Sequence, residues 1–243
     1  MKHKSRCSSL LLAIFFLATF SGTALAAPTL QLDIGGGVYN NALQDIVATT
    51  NPFTLYSLLT PDSDSTILSS YILSIAVTPQ VTDPANLGSF TISGPGTFTS
   101  PVQVTGDMTY GTPPIVAVDP GGDLAGHGVF PTYFLEIPFS FVASKSTPTY
   151  NTQDNPGGPD LSNPGPTFYQ DWVITSNLDA GYFLHFDLYQ LGTNPKNGKF
   201  GIVEFAPPSH DASSSPVPEP GTMILLGTGL IGLAGYGRKR FRK

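Results

Sequence analysis

Cysteine, basic side chains and helical periodicity are scarce in this sequence, and each shortage narrows what the chain can be. Its one cysteine, Cys7, stands ahead of the apolar N-terminal run. The rest of the chain therefore builds no disulfide, no thiolate zinc site and no thiol nucleophile. Of 11 basic residues, three fall in the first six positions and five in the last six. Residues 27–212 hold only Lys145, Lys196 and Lys199, against sixteen of the 17 acids, a net of −13 within a chain that totals −6. That balance argues against nucleic acid or anionic lipid as partners, since both need clustered Lys and Arg. Cations, or a neutral or cationic polymer, suit it better, and the same charge keeps a secreted protein soluble. There is no Gly-x-Ser-x-Gly elbow, no His-Glu-x-x-His and no internal repeat of roughly 20–50 residues. The expectation is a protein that is not an enzyme.

The two ends carry what the middle lacks. Lys2, Lys4 and Arg6 precede an apolar run from Leu10 to Phe20, which ends in Ala24-Leu25-Ala26. A basic segment, a short apolar core and a small-residue cleavage site make residues 1–26 a secretory signal peptide, with cleavage expected after Ala26. At the other end, Pro218-Glu219-Pro220 is followed by a charge-free, largely apolar run, Gly221 to Gly237, and then by Arg238-Lys239-Arg240-Phe241-Arg242-Lys243. As a helix the run would be about 26 Å long, at the short end of what crosses a bilayer. The basic cluster at 238–243 would hold the tail on the cytoplasmic side. This order of triplet, glycine-laced apolar run and basic cluster resembles the PEP-CTERM sorting signal of exopolysaccharide-producing Gram-negative bacteria. The resemblance implies an exosortase that recognises Pro218, Glu219 and Pro220, an inner-membrane precursor, and delivery to the cell surface or extracellular matrix.

Residues 27–212 remain as one domain large enough to bury a core, followed by a linker with the Pro-Glu-Pro motif at 213–220. Their pattern is β. Tyr71, Leu73, Ile75 and Val77 alternate with a second face, as do Tyr133, Leu135, Ile137, Phe139 and Phe141. Period two predicts half-buried strands. Shorter strands are expected at Leu30–Ile34, Phe53–Leu58, Ser89–Ser93, Pro101–Thr105, Ile115–Val118, Trp172–Thr175, Tyr182–Leu188 and Gly201–Phe205. Many short strands between Gly, Pro, Asn and Asp clusters predict an all-β, antiparallel sandwich or jelly-roll-like ectodomain. Pro138 predicts an edge or a bulge in its strand. Ser144 to Thr167, with Asn155-Pro156-Gly157-Gly158-Pro159 at its centre, reads as a long surface loop.

Candidate chemistry is sparse. Gly227-Thr228-Gly229-Leu230-Ile231-Gly232 has dinucleotide-binding spacing, but it sits in the apolar tail with no strand before it and no room for a βαβ unit. Asp62-Ser63-Asp64 and Asp119-Pro120-Gly121-Gly122-Asp123 could approach calcium, yet neither closes into an oxygen-ligand loop and turn chemistry explains them equally. The three histidines beyond the signal peptide each have an aspartate within four residues: His127, His185 with Asp187, and His210. His185 and Asp187 share one face of their strand. Imidazoles backed by carboxylates suit a divalent first-row metal ion, the one cofactor these residues could serve. The plainer alternative is that His185 hydrogen-bonds Asp187 or backbone on a half-buried face.

Phe53-Thr54-Leu55-Tyr56, Gly126-His127-Gly128-Val129-Phe130, Leu184-His185-Phe186-Asp187-Leu188-Tyr189 and Phe205-Ala206-Pro207-Pro208-Ser209-His210-Asp211-Ala212 together resemble the choice-of-anchor N family. That resemblance implies a bacterial surface protein and assigns no activity. Three readings follow. The first is an exported surface or matrix protein whose partners are the secretion machinery, an exosortase and the membrane. The second is a carbohydrate-binding module for the exopolysaccharide, with Tyr56, Trp172, Tyr182 and Tyr189 as stacking candidates. The third is a metal-dependent enzyme built on His127, His185 and His210.

Overall fold

A computed structural model describes residues 27–96, 98, 100–112, 131–193, 198–214 and 228. The signal peptide expected at 1–26, the strand expected at 115–118, the Asp119–Asp123 segment, His127, the 218–220 triplet and the helix expected at 221–237, Thr228 apart, lie outside those residues. Among the described residues no helix is long and apolar enough to cross a membrane.

In chain order the strands are β1 (Leu30–Ile34), β2 (Val38–Asn40), β3 (Asp45–Val47), β4 (Phe53–Leu59), β5 (Ser70–Thr78), β6 (Gly88–Ser93) and β7 (Val102–Gln103). They continue with β8 (Thr109–Gly111), β9 (Thr132–Phe139), β10 (Ser146–Thr147), β11 (Thr167–Leu178), β12 (Phe183–Thr193), β13 (Phe200–Phe205) and β14 (Asp211–Ser213). One sheet runs β1-β4-β11-β6-β7, with β10 on β11; the other runs β2-β3-β14-β12-β5-β9-β8, with β13 on β12. The expected all-β class holds among the described residues, but the second sheet is mixed, because β14 lies parallel to β3 and antiparallel to β12. The reason is local. After β13, a single 3₁₀ turn (Pro208–His210) redirects the chain and slots its last three strand residues between β3 and β12.

Alternation fixes which side chains meet between the sheets. Tyr71, Leu73, Ile75 and Val77 of β5 and Leu184, Phe186 and Leu188 of β12 are buried, as are Phe53, Leu55 and Leu59 of β4 and Trp172 and Ile174 of β11. Aromatic contacts join the two layers: Trp172 meets Phe139 edge-on at 4.9 Å, and Phe53 meets Phe186 at 6.0 Å. The Trp172 indole N–H donates to the Pro95 carbonyl at 3.2 Å, so its one polar atom is also satisfied. Truncating such a side chain to alanine typically costs about 3–5 kcal/mol. With no disulfide available beyond Cys7, this apolar contact carries the fold.

Three sequence expectations are corrected. β5 is buried on both faces, not one, because Ile72, Ser74 and Ala76 on its second face are also covered. β11 spans twelve residues instead of the expected four, pairing with β4 along one edge and β6 along the other. The segment from Ser144 to Thr167 is not simply a surface loop: β10 pairs with β11, and the rest folds onto the outer face of β1. Pro138 behaves as its chemistry requires. Among the described residues β8 pairs only with Thr132 to Phe134, so beyond Phe134 that side of β9 is an edge, and Pro138 stands on it.

Candidate functional site

Two buried polar clusters stand on the outer faces of the two sheets, and the local sequence explains both. On β1, Leu30, Leu32 and Ile34 point to the core, so Gln31 and Asp33 must point outward, yet they are 1% and 0% exposed. The 144–167 segment covers them. Asp33 accepts hydrogen bonds from the backbone N–H groups of Ile34 (2.7 Å), Gly157 (3.0 Å) and Gly158 (2.9 Å), and from the Tyr150 hydroxyl (2.8 Å). Gln31 donates to the Tyr150 carbonyl and accepts from the Thr152 N–H. Gly157 and Gly158 have φ of 120° and 103°, which side-chain-bearing residues rarely adopt, so the glycine pair lets two consecutive N–H groups converge on one carboxylate. Burial raises the Asp33 pKa against the lowering by these donors. Burial and the Asp33 charge push the Tyr150 pKa up, which keeps that hydroxyl a donor.

The second cluster is built by β3, β14 and β12. Ile46, Ala212 and Phe186 turn into the core, so their neighbours turn out. Asp45 pairs with Asp211, and His185 pairs with Ser213. Continuing the β12–β14 register by two residues sets Asp187 opposite Asp211. A row of three aspartates therefore crosses three adjacent strands, with His185 diagonal to it. Asp45 and Asp211 are 3% and 1% exposed, and Ser213 is 0% exposed. The β2–β3 hairpin that delivers Asp45 is closed by Asn40, whose side-chain carbonyl accepts from the N–H groups of Ala42 and Leu43.

The hydrogen bonds assign the imidazole's tautomer. The Ser213 hydroxyl donates to Asp45 Oδ2, leaving Ser213 Oγ to accept from His185 Nδ1–H at 3.1 Å. His185 Nδ1 also lies 3.7 Å from Asp45 Oδ2. Nε2 then faces Asp187 Oδ1 at 3.4 Å and Asp211 Oδ2 at 4.0 Å. A bare lone pair aimed at two carboxylates would be repelled by both, so Nε2 needs a proton or another cation. Burial opposes charging this ring, but Asp187, Asp45 and Asp211 together outweigh it and raise its pKa well above the ordinary value. Ligand atoms of His185, Asp187 and Asp211 all lie within 4.8 Å of one another.

Of the sequence candidates, the structure brings His185 and Asp187 together and adds Asp211. It does not add His210. That ring is buried, with Nδ1 at 2.9 Å from the Ser209 hydroxyl and Nε2 at 3.1 Å from the Asn151 side-chain carbonyl, and burial lowers its pKa. His210 therefore serves the covering segment, while its neighbour Asp211 serves the cluster. Asp45, Ser213 and the place of Asp211 in this cluster escaped the sequence reading because three-residue strands are too short to show a period. Asp62 is a turn: its carboxylate accepts from the N–H groups of Asp64 and Ser65 and from the Thr29 hydroxyl. Trp172 and Tyr189 are buried, the latter with its hydroxyl on Glu136 at 2.5 Å, so neither offers a face to a sugar. Tyr56 is half-buried against Tyr169, and Tyr182 is half-buried.

The comparison with protein-family models bears on the chain's other end. Residues 216–240 match the PEP-CTERM protein-sorting motif. The match contains Pro218, Glu219 and Pro220, the whole apolar run and the first basic residues after it. No curated protein matches the chain. The motif marks an exported protein sorted within the cell envelope, with an exosortase as its processing partner.

Proposed function

We propose that this chain is a non-catalytic surface or matrix protein of an exopolysaccharide-producing Gram-negative bacterium. A signal peptide exports it, the 221–237 helix holds the precursor in the inner membrane, and an exosortase acts at Pro218, Glu219 and Pro220. The matched motif at 216–240 is the observation that carries this reading. The basic leader, the Ala-x-Ala site and the disulfide-free, strongly acidic domain support export and solubility outside the cytoplasm. The four blocks that resemble the choice-of-anchor N family fit the same location. The glycan-binding alternative loses support with the burial of Trp172 and Tyr189.

Replacing Pro218, Glu219 and Pro220 together with alanine tests the reading in the native host. Unprocessed precursor should accumulate in the inner membrane, seen by fractionation and intact-mass measurement. Processed protein at normal yield would remove the triplet from the recognition step. A reporter fused after Lys243 should be active in the cytoplasm, and activity confined to the periplasm would overturn the orientation.

A further inference from the structure

We propose that His185 Nε2, with the carboxylates of Asp187 and Asp211, is a binding site for a divalent first-row transition-metal ion, braced from behind by Ser213 and Asp45. This site is independent of how residues 216–240 are processed.

Charge placement is the first argument. Like charges directly opposite one another on neighbouring strands destabilise a sheet. Here Asp187, Asp211 and Asp45 occupy one row across β12, β14 and β3, and a protonated His185 would still leave this group at −2. A divalent ion bound at Nε2 in place of that proton would leave the group at −1, so it offsets more of the carboxylate charge than a proton does. Geometry is the second argument. Ligand atoms around a tetrahedral ion bound at about 2.0–2.2 Å are separated by roughly 3.3–3.6 Å. The observed 3.4 Å and 4.0 Å from Nε2 to the two carboxylates need only small side-chain adjustments.

The bracing is the third argument. A ligating imidazole usually donates its other N–H to a group that fixes its orientation. Nδ1–H meets Ser213 Oγ, which itself donates to Asp45, so the ring already has that support. Two buried polar atoms nearby also await a partner among the described residues: Asp45 Oδ1, and Ser74 Oγ, which sits across the β12–β5 pair from Asp187. Ser74 is 0% exposed. The cluster still reaches solvent, since the His185 and Asp187 side chains are 25% and 19% exposed. One nitrogen with two carboxylate oxygens favours ions of the zinc or manganese type over calcium, which takes oxygen donors.

The ion would also cross-link β12 to β14, the last strand before the sorting motif. The metal would thus tie down the strand through which residues 216–240 attach to the domain.

The test uses the exported protein purified in mild detergent without a polyhistidine tag. Zinc or manganese is loaded, excess is removed by desalting, and retained metal is measured by elemental analysis alongside a thermal melt. About one equivalent should remain, and the melting temperature should rise. Losing an orienting partner behind a ligand typically costs about 10–100-fold in affinity. Asp45→Asn should therefore weaken binding about 10-fold, and Asp187→Asn and Asp211→Asn by about 100-fold or more, with their circular dichroism still β. Less than about a tenth of an equivalent on the parent protein would overturn the site. So would undiminished binding in both Asp187→Asn and Asp211→Asn, or a calcium response equal to that of zinc.

Discussion

The Asp33 cluster and the Asp45–Asp187–Asp211 cluster are both carboxylates on the outer face of a sheet, yet they are completed in opposite ways. Asp33 takes three backbone N–H groups and a hydroxyl from its own chain, so its charge is answered by donors and it fastens the 144–167 segment to β1. The second cluster gathers three carboxylates around a single imidazole. Burial next to enough donors makes a carboxylate a structural clamp, whereas burial next to other carboxylates makes it a place for a cation.

Mutation should separate the two. Asp33→Ala strips the acceptor from four donors at once and should destabilise the domain by about 3–5 kcal/mol, read by chemical denaturation. Tyr150→Phe removes one charge-assisted bond and should cost about 1.5–3 kcal/mol, with faster proteolysis between 148 and 166. Asp187→Asn should act far more weakly on metal-free protein, changing stability by about 1 kcal/mol or less, because relief of repulsion across β12 and β14 offsets the lost attraction to His185. If that variant instead loses as much stability as Asp33→Ala, the contrast between clamp and cation site fails.

A smaller effect comes from pH. His210 is buried against Asn151 and Ser209, and its pKa is lowered by burial, with Asp154 acting in the opposite direction. The unfolded chain therefore takes up the proton first as pH falls. The stability associated with neutral His210 is complete above about 6.5 and is lost on acidification through the interval down to the folded pKa. The fall in melting temperature between pH 7.5 and 5.5 should be smaller in His210→Gln, and an equal fall in both proteins would assign the acid sensitivity elsewhere. The least effect belongs to Lys145→Met. Its ammonium pairs with Asp171, but the two side chains are 35% and 37% exposed, so solvent screening should hold the loss below about 1 kcal/mol.

The sequence by itself determined the β class, the disulfide-free core and the sorting signal. Each is a local matter: alternation along one strand shows which face is apolar, and the signal is a contiguous string. The alternating segments of β5 and β9 and the PEP-CTERM motif were legible for that reason. Tertiary structure alone decided what the outward faces do. Nothing in Leu30-Gln31-Leu32-Asp33-Ile34 says that Tyr150, Gly157 and Gly158 will close over it, since those contacts span more than a hundred residues. Nor does His210-Asp211-Ala212-Ser213 say that the histidine turns to Asn151 while the aspartate turns to His185. The parting follows from a 3₁₀ turn that runs into a strand between those two residues, after which alternation points Asp211 and Ser213 out and Ala212 in. Strand pairing places Asp45 beside them from 166 residues earlier in the chain, because sheet register, not sequence distance, sets which charges share a row.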